Sequence, residues 1–249
     1  ILGSDERTHD WKDEGINTYY ENRYFDEKYP DLKMLGKFAE TGIARFFDVS
    51  QYKDNHQSYY MYLFNARKNK DQPIDLHAHE YTSLNYGGIV YGKAGIAFKY
   101  MEAWLGTKRF DKIMQKYYDQ FEFKHPYPDD LKQLFEQETG KYLDWFFDDL
   151  IFTTKKIDYK IKKVKREKEK IGDKSYDEVT LKQKPQNHLK GPFSLSALKD
   201  GEVVKTIWYD GFLGEMPVLF PTMDYDELKI DVAEVCLLYT SDAADDLWC

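Results

Sequence analysis

The sequence predicts a multidomain α plus β protein, with a helical lobe over residues 1–152 followed by a small β-sandwich over 153–235. Three observations carry that expectation. Apolar residues recur with a helical period as far as Ile151. After Lys156 they alternate with polar residues in the period of two that a strand requires. The pair Asp200-Gly201 then separates FSLSAL from VVKTIWY, which is the signature of a tight hairpin.

The elements can be taken in order. Short helices are expected over 15–28 and 57–68. Lys68 to Asp75 is polar, contains Pro73, and reads as a loop. A helix over 91–105 should end at Gly106. Thr107 can cap the next helix, which places Phe110, Ile113, Met114 and Tyr117 on one face. Asp129 can cap another, with Leu131, Leu134, Phe135 and Glu138 on a face and Gly140 closing it. LDWFFDDLI starts a last helix through Trp145, Phe146 and Leu150. In the second half, Ile157, Tyr159 and Ile161 alternate with polar residues, as do Asp177, Val179 and Leu181. The lysines between Lys155 and Lys170 are interrupted by Glu167 and Glu169. They read as the solvated edge of a sheet, which discourages strand-to-strand aggregation.

Composition bounds the function. The chain has 249 residues, 42% of them apolar, and a net charge of −8. That balance argues against nucleic acid or an anionic membrane as the main partner. No apolar run is long enough for a membrane span. The chain opens at Ile1 rather than Met and reads as a fragment. CLLYTSDAADD, from Cys236 to Asp246, is similar to the translation of a transposon-end sequencing adapter. On that reading 236–249 is a non-native tail, to be set aside from fold reasoning. Removing its three aspartates brings the net charge from −8 to −5. Both cysteines, Cys236 and Cys249, fall in it, so the remainder offers no disulfide, thiol nucleophile or cysteine metal ligand.

The histidines are His9, His56, His77, His79, His125 and His188. No HExxH is present. His77 and His79 in LHAHE could share a metal on an extended segment, but a solvated loop near Pro73 is the better reading. No Ser-His-Asp set, phosphate loop or dinucleotide fingerprint stands out. The stretch WKDEGINTYYENRYF, residues 11–25, places Glu14 near a helix start beside Gly15. A carboxylate there favours the helix dipole by roughly a few tenths to 1 kcal/mol. Gly15 lets another backbone or a ligand come close.

ILGSDERTHDWKDEGINTYYENRY resembles the segment after the zinc-binding helix in the membrane alanyl aminopeptidase family of metallopeptidases, peptidase family M one. Those enzymes carry HExxH, a spacer, and then a glutamate in a W-x-x-E-G phrase, matched here by Trp11-Lys12-Asp13-Glu14-Gly15. LNYGGIVYGKAGIAFKYMEAWLG, residues 84–106, resembles the family's tyrosine helix, usually Y-x-K-G followed by an apolar helix. Ala94 departs from the usual glycine, and Gly95 follows at once. Core phrases over 107–152 follow in the family's order, and the sandwich after them fits its architecture, so the likeness spans about 1–235.

The resemblance implies that the helical lobe is part of a thermolysin-like catalytic domain. It implies Zn²⁺ as cofactor and a peptide as substrate, with hydrolysis of N-terminal residues. Glu14 would be the third zinc ligand and Tyr91 the catalytic tyrosine that donates to the oxyanion. Tyr86 would be a second tyrosine near the site. Glu21 would be either an outer support of the metal ligand or part of a polar face, and the polar face is favoured. The two zinc-binding histidines, the general base and the amine-gripping G-x-M-E-N loop would all lie upstream of Ile1. The 249-residue chain alone is therefore expected to bind no stoichiometric zinc and to cleave nothing. The competing reading is a non-catalytic relative that keeps the fold as a scaffold or binding module. Retention of both Glu14 and Tyr91 argues against it.

Overall fold

The computed structural model describes residues 4, 5, 7–30, 41, 62, 66, 68, 70–183 and 188–232. The tail 236–249, His56, residues 1–3 and most of the helix expected over 57–68 lie outside the described residues.

Helix α1 runs from Asp10 to Lys28, with acidic Asp10 and Asp13 in its first turn and Lys28 in its last, as the helix dipole favours. It starts five residues earlier than expected. The start was obscured because His9 makes no side-chain cap and the buried face opens with the polar residues Asp10 and Lys12. That face, Asp10, Trp11, Lys12, Gly15, Ile16 and Tyr19, packs on a continuous helical run formed by three segments. A single turn, Ser83–Asn85, leads into a π-helix, π1, over Tyr86–Lys93, and then into α2 over Ala94–Leu105. The helix expected to begin at 91 thus begins at 83. Gly87-Gly88 and the π register together hid its first two turns from a 3.6-residue reading.

Helix α3 spans Thr107–Phe121 and α4 spans Pro128–Thr139. Thr107 does not cap α3: the cap is Gly106, at φ +80°, and the Thr107 hydroxyl donates to Glu102 at 2.8 Å. Asp129 does not cap α4 either. Pro128 takes the first helical position, where its missing N–H costs nothing, and the Asp130 carboxylate accepts from the Tyr127 N–H at 2.7 Å. Gly140, at φ +66°, closes the helix as its sequence position implies. The last helical segment, Trp145–Ile151, is also a π-helix, π2.

Six strands follow: β1 Tyr159–Ile171, β2 Lys174–Gln183, β3 Phe193–Lys199, β4 Glu202–Tyr209, β5 Gly214–Pro221 and β6 Glu227–Ile230. They form two antiparallel three-stranded sheets, ordered β1-β2-β5 and β4-β3-β6. Asp200 and Gly201 both have positive φ between the paired residues Lys199 and Glu202, the geometry of a type I′ turn. Tyr159, Val179, Leu181, Phe193, Leu195, Phe212 and Phe220 fill the space within this unit. β1 is an edge strand, as its lysines imply, and Lys162 and Lys165 pair with Glu215 and Glu178.

Tyr100 of α2 joins the two halves of the chain. Its hydroxyl donates to the Pro192 carbonyl, and its ring lies 5.1 Å from Trp145 and 6.2 Å from Trp208. Among the described residues, no helix is long and apolar enough to cross a membrane.

Candidate active site

The site grows from the crossing of α1 and π1. Glu14 projects from the second turn of α1. The Tyr91 hydroxyl, seventy-seven residues away in sequence, donates to Glu14 Oε1 at 2.8 Å. Burial raises the Tyr91 phenol well above its ordinary value, and the bond to Glu14 adds to this. The phenol therefore stays protonated, and able to donate, through the physiological range.

Tyr86 stands beside Tyr91. Its ring centre is 6.0 Å away at 67°, an edge-to-face contact. Residues five apart diverge on an α-helix, but a π-helix closes its hydrogen bonds between residues five apart and stacks them. The π register is what brings these two tyrosines together. Tyr81 continues the row, 5.8 Å from Tyr86 at 77°, and its hydroxyl donates to the Ile74 carbonyl at 2.5 Å.

The start of α1 is held by Asp75. Its carboxylate accepts from Trp11 Nε1 at 2.8 Å and bonds His9 Nδ1 at 2.9 Å. On the far side, the buried Lys12 ammonium donates to the Pro126 carbonyl just before α4. Burial lowers the Lys12 pKa to about 8. Lys93, two residues beyond Tyr91, is wholly enclosed, with its ammonium 5.3 Å from the Tyr62 ring centre. Burial brings it to about 8 as well.

Glu14 and Tyr91, singled out from separate stretches of sequence, are therefore in contact, and Tyr86 touches Tyr91. Gly15 is buried against Ala94, where a side chain would collide, so its missing Cβ serves the helix crossing. Glu21 is exposed on α1. His77 and His79 are exposed on one 3₁₀ turn, with ring centres 5.4 Å apart. Sequence reasoning missed Asp75, Asp10 and Tyr81. Asp75 was hidden in a polar loop, and its pairing with Trp11 spans sixty-four residues. Asp10 was hidden because the helix was expected to begin only at residue 15.

The helical lobe thus brings a carboxylate and a tyrosine together, and a small sandwich follows it. The model of the peptidase family M1 domain matches residues 5–150, and the chain belongs to that family. Among solved structures, the chain resembles aminopeptidase A of Legionella pneumophila, crystallised in complex with aspartic acid. The TM-score is 0.57 at 14% sequence identity, over 94% of this chain and 24% of that one. At that identity the likeness concerns the fold. The chain spans about a quarter of the length of that aminopeptidase. No individually curated protein matches the sequence.

The family implies zinc, and the residues present can be tested against it. Glu14 offers a carboxylate oxygen, a ligand type that catalytic zinc accepts, on a rigid helix beside a hydrogen-bond donor. Among the described residues, no group of three or more His, Cys, Asp or Glu could hold a metal ion. The donor chemistry thus fits one ligand of a set.

Proposed function

We propose that the protein is a zinc-dependent aminopeptidase that removes N-terminal residues from peptides, with Glu14 as one zinc ligand and Tyr91 as the donor to the oxyanion. The observation that supports this most strongly is the 2.8 Å bond between the Tyr91 hydroxyl and Glu14 Oε1. It unites the two positions that the family phrases single out.

The chemistry that zinc supplies when bound is Lewis-acid polarisation of the scissile carbonyl. The remaining steps belong to the protein. Tyr91 is held protonated by burial and parked on Glu14. On substrate binding its hydroxyl transfers its hydrogen bond to the carbonyl oxygen. That oxygen becomes a stronger acceptor as negative charge develops, so the bond is worth most at the transition state. Glu14, anchored on α1, would hold the metal through its carboxylate. The Tyr86 ring limits the swing of Tyr91. Two histidine ligands and a general base would come from the segment before Ile1.

The test is made on the intact protein that carries this chain. Its upstream sequence should contain HExxH, and the protein should release nitroaniline from an aminoacyl-nitroanilide. A chelator should abolish that release and added zinc should restore it. An upstream segment without the two histidines, or hydrolysis indifferent to chelation, would overturn the proposal.

A further inference from the structure

Three tyrosines spaced by five residues, Tyr81, Tyr86 and Tyr91, form a row that ends at the candidate site. The Tyr81 ring meets the Tyr86 ring at 5.8 Å and 77°, and the Tyr86 ring meets the Tyr91 ring at 6.0 Å and 67°. Both contacts are edge to face, an arrangement that favours one relative angle over a loose stack. The last member of the row donates to Glu14 Oε1 at 2.8 Å. The first member is pinned, because the Tyr81 hydroxyl donates to the Ile74 carbonyl at 2.5 Å.

The backbone that takes this pin is itself held. The Ile74 and Asp75 N–H groups both donate to the Ile151 carbonyl at the end of π2, at 2.8 and 3.1 Å, and Ile74 has no exposed surface. Gln72 brackets Tyr81: its Nε2 donates to the Glu80 carbonyl at 3.0 Å, and its Oε1 accepts from the Thr82 N–H at 3.1 Å. The Asp75 carboxylate, meanwhile, grips Trp11 and His9 at the start of α1. Two adjacent residues thus serve both halves of the site. Asp75 holds the helix of Glu14, and Ile74 holds the row that ends in Tyr91. A phenylalanine at position 81 would fill the same space; the hydroxyl adds a fixed direction, because a hydrogen bond weakens steeply as its angle closes.

We propose that Tyr81 is a positioning residue for Tyr91: its hydroxyl, anchored on the Ile74 carbonyl, fixes its ring, and the Tyr86 ring passes that constraint to the phenol that meets Glu14. The effect on rate rests on the aminopeptidase reading; the effect on geometry does not. Tyr81 touches no reacting atom. Without its hydroxyl the row keeps all three rings, but its outer end is free to turn.

The test is a double-mutant cycle in the intact protein, with Y81F, Y86L and the pair, reading kcat and KM separately on an aminoacyl-nitroanilide. Misplacement of a catalytic group costs up to about a hundredfold, so Y81F should lower kcat by about tenfold with little change in KM. Y81L, which also removes the ring, should be slower still. In the Y86L background Y81F should cost nothing further, because the relay is already cut. A Y81F with the parent's kcat, a loss that falls mainly on KM, or the full Y81F loss repeated in the Y86L background would overturn the proposal. If Y86L or Y81L fails to fold, Y81F, which deletes one hydroxyl, decides by its kcat alone.

A second readout needs no turnover. In protein labelled at tyrosine ¹³Cζ, the Tyr91 resonance, assigned through Y91F, should move in Y81F. That variant keeps every ring, so a shift reports a changed setting of Tyr91. If it moves while the parent hydrolyses nothing, the positioning role stands and the enzymatic reading falls. If it stays in place, the positioning role falls whatever the activity.

Discussion

Gly15 and Ala94 mark the point where α1 and α2 cross, and a methyl group on Gly15 would stand 2.5 Å from the Ala94 Cβ. One residue on, a Cβ at Gly95 would meet Thr18 Cγ2 at 3.0 Å. The crossing is close because small residues face each other, and this closeness brings Glu14 within reach of Tyr91.

Alanine at position 15 tests that crossing. Alanine is the better helix former by about 1 kcal/mol. Overpacking a tight contact costs roughly 1–3 kcal/mol, and here the obstacle is a rigid Cβ on a neighbouring helix. G15A should therefore lower the urea midpoint, and A94G in the same chain should recover it. A G15A variant as stable as the parent would mean that the helices separate at little cost.

Asp75 tests the anchor of α1. Replacing it with alanine leaves the indole N–H of Trp11, a residue with no exposed surface, without its acceptor and removes the partner of His9. The expected loss is about 1–3 kcal/mol in urea unfolding, with a change in Trp11 fluorescence. An unaltered midpoint would show that solvent reaches the indole and replaces the carboxylate.

Lys12 and Lys93 predict a pH dependence. Burial lowers each from 10.5 to about 8. Below pH 8 both are charged in the folded and unfolded states, and the folded state bears the cost of enclosing them. Between about pH 8 and 10 the folded chain releases these protons while the unfolded chain still binds them, so stability rises with pH in that window. Urea midpoints at pH 7.5 and 9.5 should differ in that sense. K93M should be more stable than the parent at pH 7.5 and should show a smaller rise, since an apolar side chain removes the cost of enclosing the charge. A K93M variant with the parent's full rise would assign the effect to other groups.

Glu14 and Tyr91 predict separable losses in the intact protein. Y91F should lower kcat by about 10²–10³, the usual cost of one lost oxyanion donor, with KM and melting temperature nearly unmoved. It should keep its zinc through dialysis. E14A should lose zinc under the same dialysis, read by metal analysis. A Y91F that chiefly raises KM would make Tyr91 a binding residue instead.

The outline of the fold was legible because periodicity and turn chemistry are local. The Asp200-Gly201 hairpin and the Gly140 stop appear where their residue types require them. The misjudged starts of α1 and of the π1–α2 run share a cause. One begins with buried polar residues and the other with a π-helix, and neither follows the amphipathic 3.6-residue pattern. At the site, Glu14 and Tyr91 were marked by the phrases around them, since among 21 tyrosines nothing in local spacing distinguishes one. Asp75 gains its meaning from His9 and Trp11, far away in sequence. Such pairings exist only once the chain has closed on itself.

Tyr100 gives the helical run carrying Tyr91 a second fixed end. From Tyr91 the helical path continues nine residues to Tyr100, whose hydroxyl and ring are seated on Pro192, Trp145 and Trp208. The sandwich therefore acts as the mount of a beam whose other end bears the tyrosine. The border near residue 152 looks from sequence like a natural place to cut, yet a cut there would take Pro192 and Trp208 away from Tyr100 and leave Trp145 to seat it. The slack would then be felt at its tip.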